Sequence, residues 1–163
     1  MPAWALTLAY WVHMAATVVW IGGLFFQAVV VSPALSATLP PEQAARLLRS
    51  LRRRFSPLAW FSLVLLIATG LAQMSGSPHY TGLLQIGNTW SAAILAKHLV
   101  IGLMVLAAAA QTWLLQPELE RALLRPEPTG ASQHSAQRYR QLTSVNLVLG
   151  LVVLALTAVA RTA

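Results

Sequence analysis

Residues 5–31 read ALTLAYWVHMAATVVWIGGLFFQAVVV, without a single charge. A helix needs about 20 apolar residues to cross a hydrocarbon core of ~30 Å, so this stretch is long enough to span a bilayer with tilt. It has no basic leader and is too long for the core of a cleavable signal, so it is expected to remain as a membrane span. Outward from it, the windows Met1–Pro41, Phe55–Ala96, His98–Pro117 and Gln141–Ala160 are also free of Asp, Glu, Lys and Arg. Gly76, Pro78, Gly82 and Gly87 interrupt the second window, which therefore holds two spans meeting near Asn88. Spans are predicted at about 5–31, 55–74, 89–115 and 142–160. The expected fold is an all-α integral membrane protein, a four-transmembrane-helix bundle in one domain, 1–163. Pro33, Pro40 and Pro41 are expected to end the first helix, and Pro57 to sit in the first turn of the second.

Composition agrees. Of 163 residues, 57% are hydrophobic and 9% charged, against about 25% charged in soluble domains. A soluble globule and a disordered chain are both excluded. Cysteine is absent, which removes disulfides, thiolate metal sites and thiol nucleophiles. The net charge of +7 comes from where the cations sit. Arg46, Arg49, Arg52, Arg53 and Arg54 lie in the first loop and Arg121, Arg125, Arg138 and Arg140 in the third, while Arg161 stands alone at the other end. The positive-inside rule puts these loops in the cytoplasm and both termini outside, in the cytoplasmic membrane of a prokaryote. The arginines are read as orientation signals and not as a nucleic-acid surface. Glu42–Arg54 and Pro117–Arg125 are expected to extend helices beyond the bilayer.

Polar residues recur at helical spacing on every span. They are Tyr10, His13, Thr17, Trp20 and Gln27 on the first, and Ser62, Thr69 and Gln73 on the second. The third carries Ser91, His98, Gly102, Ala109, Thr112 and Gln116, and the fourth Thr143, Asn146, Gly150, Thr157 and Arg161. Such stripes are expected to face the bundle interior. The Thr and Gly positions are explained by close helix contact; Trp20, Gly22 and Gly23 are placed on the packing seam.

Ionisable groups inside spans need partners and mark functional positions. With helices one and three both entering from the terminal side, His13 and His98 lie roughly 12 to 14 Å deep at 1.5 Å per residue. Two imidazoles at one level could ligate a b-type haem. The alternative is two separate hydrogen-bonded histidines, one to a backbone carbonyl and one to Thr17 or Thr69. Lys97 lacks a partner acid, since Glu42, Glu118, Glu120 and Glu127 all lie outside the spans. It must snorkel, lose its proton or meet a ligand's negative charge. Haem propionates would supply that charge, with Arg161 as a second cation. Copper is the competing ligand, with His13, His98, Met14 and Met104 as its donors. Soft copper prefers sulfur, of which this chain offers little.

The string His13-Met-Ala-Ala-Thr-Val-Val-Trp20-Ile-Gly22-Gly23, then Pro33-Ala-Leu, Arg54-Phe55-Ser56, Thr69-Gly70 and Lys97 resembles the membrane domain of the copper-resistance protein D (CopD) family. The resemblance covers nearly the whole chain and implies copper transport or resistance. His13, Trp20 and Lys97 are also similar to positions of the HemJ-type membrane protoporphyrinogen oxidases, which implies haem and tetrapyrrole chemistry, although Val31-Ser32-Pro33 replaces the arginine and second histidine of that pattern. The expectations are therefore a haem-b protein for electron transfer or tetrapyrrole or quinone redox chemistry, a copper transporter, or an accessory subunit whose histidines only pack. The partners expected are the lipid bilayer and, for the first and third, a redox partner or membrane-complex subunits. The segment Met74–Tyr80, with His79, reads as an exposed hairpin, and His134 as solvated.

Overall fold

The computed structural model describes residues 2–77, 89–123 and 130–162, and among these every regular element is helical. Lipid offers the backbone no hydrogen-bond partner, so an apolar chain crosses it by closing each N–H onto a carbonyl of its own segment. Helix α1, Ala3–Phe25, passes through a π turn at Phe26–Val31 and continues as α2, Ser32–Thr38. Helix α3 is Pro41–Ser75. Helix α4, Thr89–Ala110, runs through a second π turn, Gln111–Leu115, into α5, Gln116–Leu123, and α6 is Gly130–Thr162. Four stretches are long and apolar enough to cross a bilayer: Ala3–Leu35, Arg46–Ser75, Thr89–Glu118 and Gln137–Arg161. The protein is a multi-pass integral membrane protein.

The first helix does not stop at Pro33. In an α-helix a proline ring collides with the carbonyl four residues back and leaves a bond unmade. Here the register has already widened: Ser32 N–H bonds the carbonyl of Gln27, and Gln116 N–H bonds that of Gln111. Pro33 and Pro117 follow directly, each just past a turn that has shifted to five-residue bonding. The break comes at Leu39, which is extended, and Pro40 then caps α3. Because α3 starts at Pro41, Pro57 lies inside the helix and not in its first turn.

Two antiparallel hairpins carry the packing, α1 against α3 and α4 against α6. In the first, Gln73 Nε2 donates to the carbonyl of Ala9 at 3.3 Å. In the second, Gln111 Nε2 donates to Thr143 Oγ1 at 2.7 Å. The hairpins join where Gln27 Nε2 donates to the Tyr139 hydroxyl at 2.9 Å, and where the Trp60 and Trp113 rings stack 5.3 Å apart. Around the bundle the order is therefore α3, α1, α6, α4, with α1 and α4 on a diagonal. Trp20, Leu63 and Met104 form the buried centre. Large side chains such as Trp11, Val18, Leu106 and Trp113 point outward, where lipid is the solvent.

The hairpins repeat one another. His13 and Lys97, Gln27 and Gln111, and Pro33 and Pro117 are each separated by 84 residues. Trp20 and Met104, both in the buried centre, have the same separation. The sequence reading did not detect this repeat, because the apolar background between these positions is not conserved between halves.

Gly150 sits where α6 crosses two neighbours, since a Cβ there would lie 3.5 Å from Met104 Cε and 3.6 Å from Ile21. On the seam assigned to helix one, a Cβ at Gly23 would meet Phe55 at 3.9 Å, whereas at Gly22 it would meet nothing. Gly150→Leu is expected to destabilise the bundle by about 1–3 kcal/mol through overpacking, and Gly22→Leu by less than about 0.5 kcal/mol. Thermal unfolding in detergent measures both.

Candidate functional site

Helix α1 presents Tyr10, His13, Thr17 and Trp20 inward, with Trp20 only 6% exposed. His13 is fixed by the neighbouring helix α3: its Nδ1 lies 2.8 Å from Thr69 Oγ1. Thr69 donates its one hydroxyl proton back to the carbonyl of Leu65, so it receives the proton of His13 Nδ1. An imidazole that carries its proton on Nδ1 has its lone pair on Nε2. Gly70 makes room for it, since a Cβ there would sit 3.5 Å from His13 Cε1. This gives Thr69-Gly70 a physical role: one residue orients the imidazole and the other clears its edge.

Lys97, not His98, is the α4 residue that faces this centre. The half-buried Lys97 is within electrostatic reach of His13, and Arg161 within reach of Lys97. The register pairing Gln111 with Thr143 and Met104 with Gly150 sets Lys97 opposite Thr157, as His13 is set against Thr69. Thr157 also donates to the carbonyl four residues back, at 2.8 Å. The Arg161 guanidinium lies 4.7 Å from the Tyr10 ring centroid, a cation–π contact that holds it over the end of α1.

The structure does not bring His98 to His13. The His98 side chain is exposed, and its Nδ1 lies 2.7 Å from the carbonyl of Ile94 on its own helix. The expected α4 stripe is rotated: the inward line is Ala93, Lys97, Met104, Ala108, Gln111 and Leu115. Starting the count at Ser91, which is buried at the helix end, leads to His98 instead. Because both faces of the helix are apolar, hydrophobicity could not correct the choice. Met14, at 60% exposure, also faces outward, while Met104 is 5% exposed. These positions do not fit a haem held between His13 and His98, and among the described residues no cluster of three or more His, Asp or Glu could hold a metal. His134 is exposed, and His79 lies outside the described residues.

At the opposite, arginine-rich end is a second polar feature, which the sequence reading did not assemble. Asn146 is 0% exposed. Gln111 Nε2 bonds both Thr143 Oγ1 and the Tyr139 carbonyl, and the Arg52 guanidinium lies 3.6 Å from the Tyr139 ring centroid. On sequence alone Arg52 reads only as part of an orientation signal. The available clue was Gln followed six residues later by Pro, twice, 84 residues apart.

Thr69→Val removes the acceptor for His13 Nδ1–H without changing side-chain volume much. It is expected to cost about 1–3 kcal/mol, with Thr69→Ser recovering most of the loss in thermal unfolding.

No curated protein and no solved structure gives a significant match to the chain. The family model described as copper resistance protein D matches residues 49–160, from the basic end of α3 to the last turns of α6. That segment contains Thr69, Gly70, Lys97 and Asn146 of the arrangements above, and the chain belongs to the copper resistance protein D family.

Proposed function

We propose that the protein handles copper, passing it along the bundle axis with His13 as its first intramembrane ligand. The observation that carries this reading is the family match over residues 49–160. The chemistry of His13 supports it, because engaging Nδ1 with Thr69 leaves Nε2 as the ring's donor atom for a metal. Copper is the cargo here and not a resident cofactor. Lys97 and Arg161 stand nearby, and the one acid in the four crossing stretches, Glu118, lies at the far, arginine-rich end, so a bare cation would be held weakly. Weak holding suits transit better than storage. Met104, seven residues beyond Lys97 and about 10 Å further along the axis, is the soft sulfur ligand that could receive a cuprous ion next.

The orientation belongs to the same proposal. The arginine-rich ends face the cytoplasm and both termini face outward, on the strength of nine loop cations against Arg161. Ser77→Cys is then expected to react with an impermeant thiol reagent in intact cells, and His134→Cys only after permeabilisation. The reverse pattern would invert the assignment.

The copper reading is tested in proteoliposomes containing a cuprous chelator dye. The native protein is expected to load the dye with copper, His13→Ala to reduce the initial rate at least tenfold, and Met104→Leu to reduce it several-fold while preserving the fold. His98→Ala is expected to leave the rate unchanged. Absence of copper movement in all proteins, together with a Soret band lost in His13→Ala and His98→Ala, would replace copper by haem.

A further inference from the structure

The bundle's second polar feature has a cavity of about 90 Å³, lined by all four long helices. A water needs roughly 10–15 Å³ of such space, so several waters or one small solute fit. Among the described residues its only charged lining residue is Arg52, and no described Asp, Glu, His or Met lines it. The cavity therefore has neither the charge nor the soft donors to be a copper site.

Asn146 reaches this cavity fully buried, and neither its Nδ2 nor its Oδ1 has a hydrogen-bond partner. An amide in that state is destabilising unless something in the cavity satisfies it. The surrounding groups are held in place. Gln27 and Gln111, each beginning the last stretch before a proline, both bond Tyr139, one at the hydroxyl and one at the carbonyl. Tyr139 in turn stacks under the Arg52 guanidinium. A cation is thus fixed at the wall of the cavity, with an amide donor waiting inside.

We infer that this cavity binds a small phosphate-type oxyanion, with Arg52 supplying the charge and Asn146 a hydrogen-bond donor. The oxyanion is either free phosphate or the phosphate of a lipid headgroup reaching in from the arginine-rich end. Both present the same tetrahedral oxygens to a guanidinium. This site is independent of the copper reading, since none of its residues is a ligand proposed there.

Trp20 and Trp60 line the cavity and report on it. The full-length protein in a phosphate-free, non-ionic maltoside is titrated with inorganic phosphate and, separately, with phosphatidylglycerol in mixed micelles, following tryptophan fluorescence and thermal unfolding. Saturable change with phosphate identifies a free oxyanion, and change with phosphatidylglycerol alone identifies a headgroup; either supports the site. Arg52→Gln is expected to weaken the response at least tenfold. Asn146→Leu, which removes the orphaned amide, is expected to unfold no lower than the native protein in the absence of anion yet to lose the stabilisation that anion gives. No saturable response to either anion, or an undiminished response in both variants, overturns the inference.

Discussion

A helix in lipid has to satisfy every backbone hydrogen bond within itself, and each proline takes one away. This constraint organises the bundle. Pro33 and Pro117 lie where the first and third crossings approach the arginine-rich end, and each is preceded by a turn whose bonds reach back five residues. The extra residue rotates everything that precedes it relative to everything that follows. The carbonyls of Gln27 and Gln111 accept the five-residue bonds of these turns, and the side chains of the same two residues both meet Tyr139 on α6, the anchor the two hairpins share.

The bundle consequently has two polar levels separated by an apolar one. At the level nearer the termini, His13, Lys97 and Arg161 gather basic groups around the axis. Trp20, Leu63 and Met104 close the middle. Beyond them, Arg52, Tyr139 and Asn146 form the second level. Each polar level has an arginine held over a tyrosine ring, Arg161 over Tyr10 at one and Arg52 over Tyr139 at the other.

Much of the fold was legible because charge and length are strong signals in membranes. The end of α3 at Ser75 and the inward faces of the first, second and fourth spans could be read from glycine and polar spacing. The face of the third could not. Its inward line differs from the predicted one by a single residue, and an amine was passed over for the imidazole beside it. In a soluble helix the apolar stripe would have exposed the error; here lipid makes both sides greasy. Asn146 was visible as part of a stripe, but its burial without partners depends on the approach of three other helices. The Pro33 boundary failed because a wider turn accommodates what an α-helix rejects.

The 84-residue correspondence between halves has an evolutionary reading. Two hairpins with the same orientation, related by an axis along the membrane normal, are what fusion of two copies of a helical pair produces. In this chain the matched positions keep glutamine and proline where the helices widen, and carry unlike side chains, an imidazole at His13 and an amine at Lys97, nearer the termini. A symmetric backbone thereby presents an asymmetric pair of functional groups.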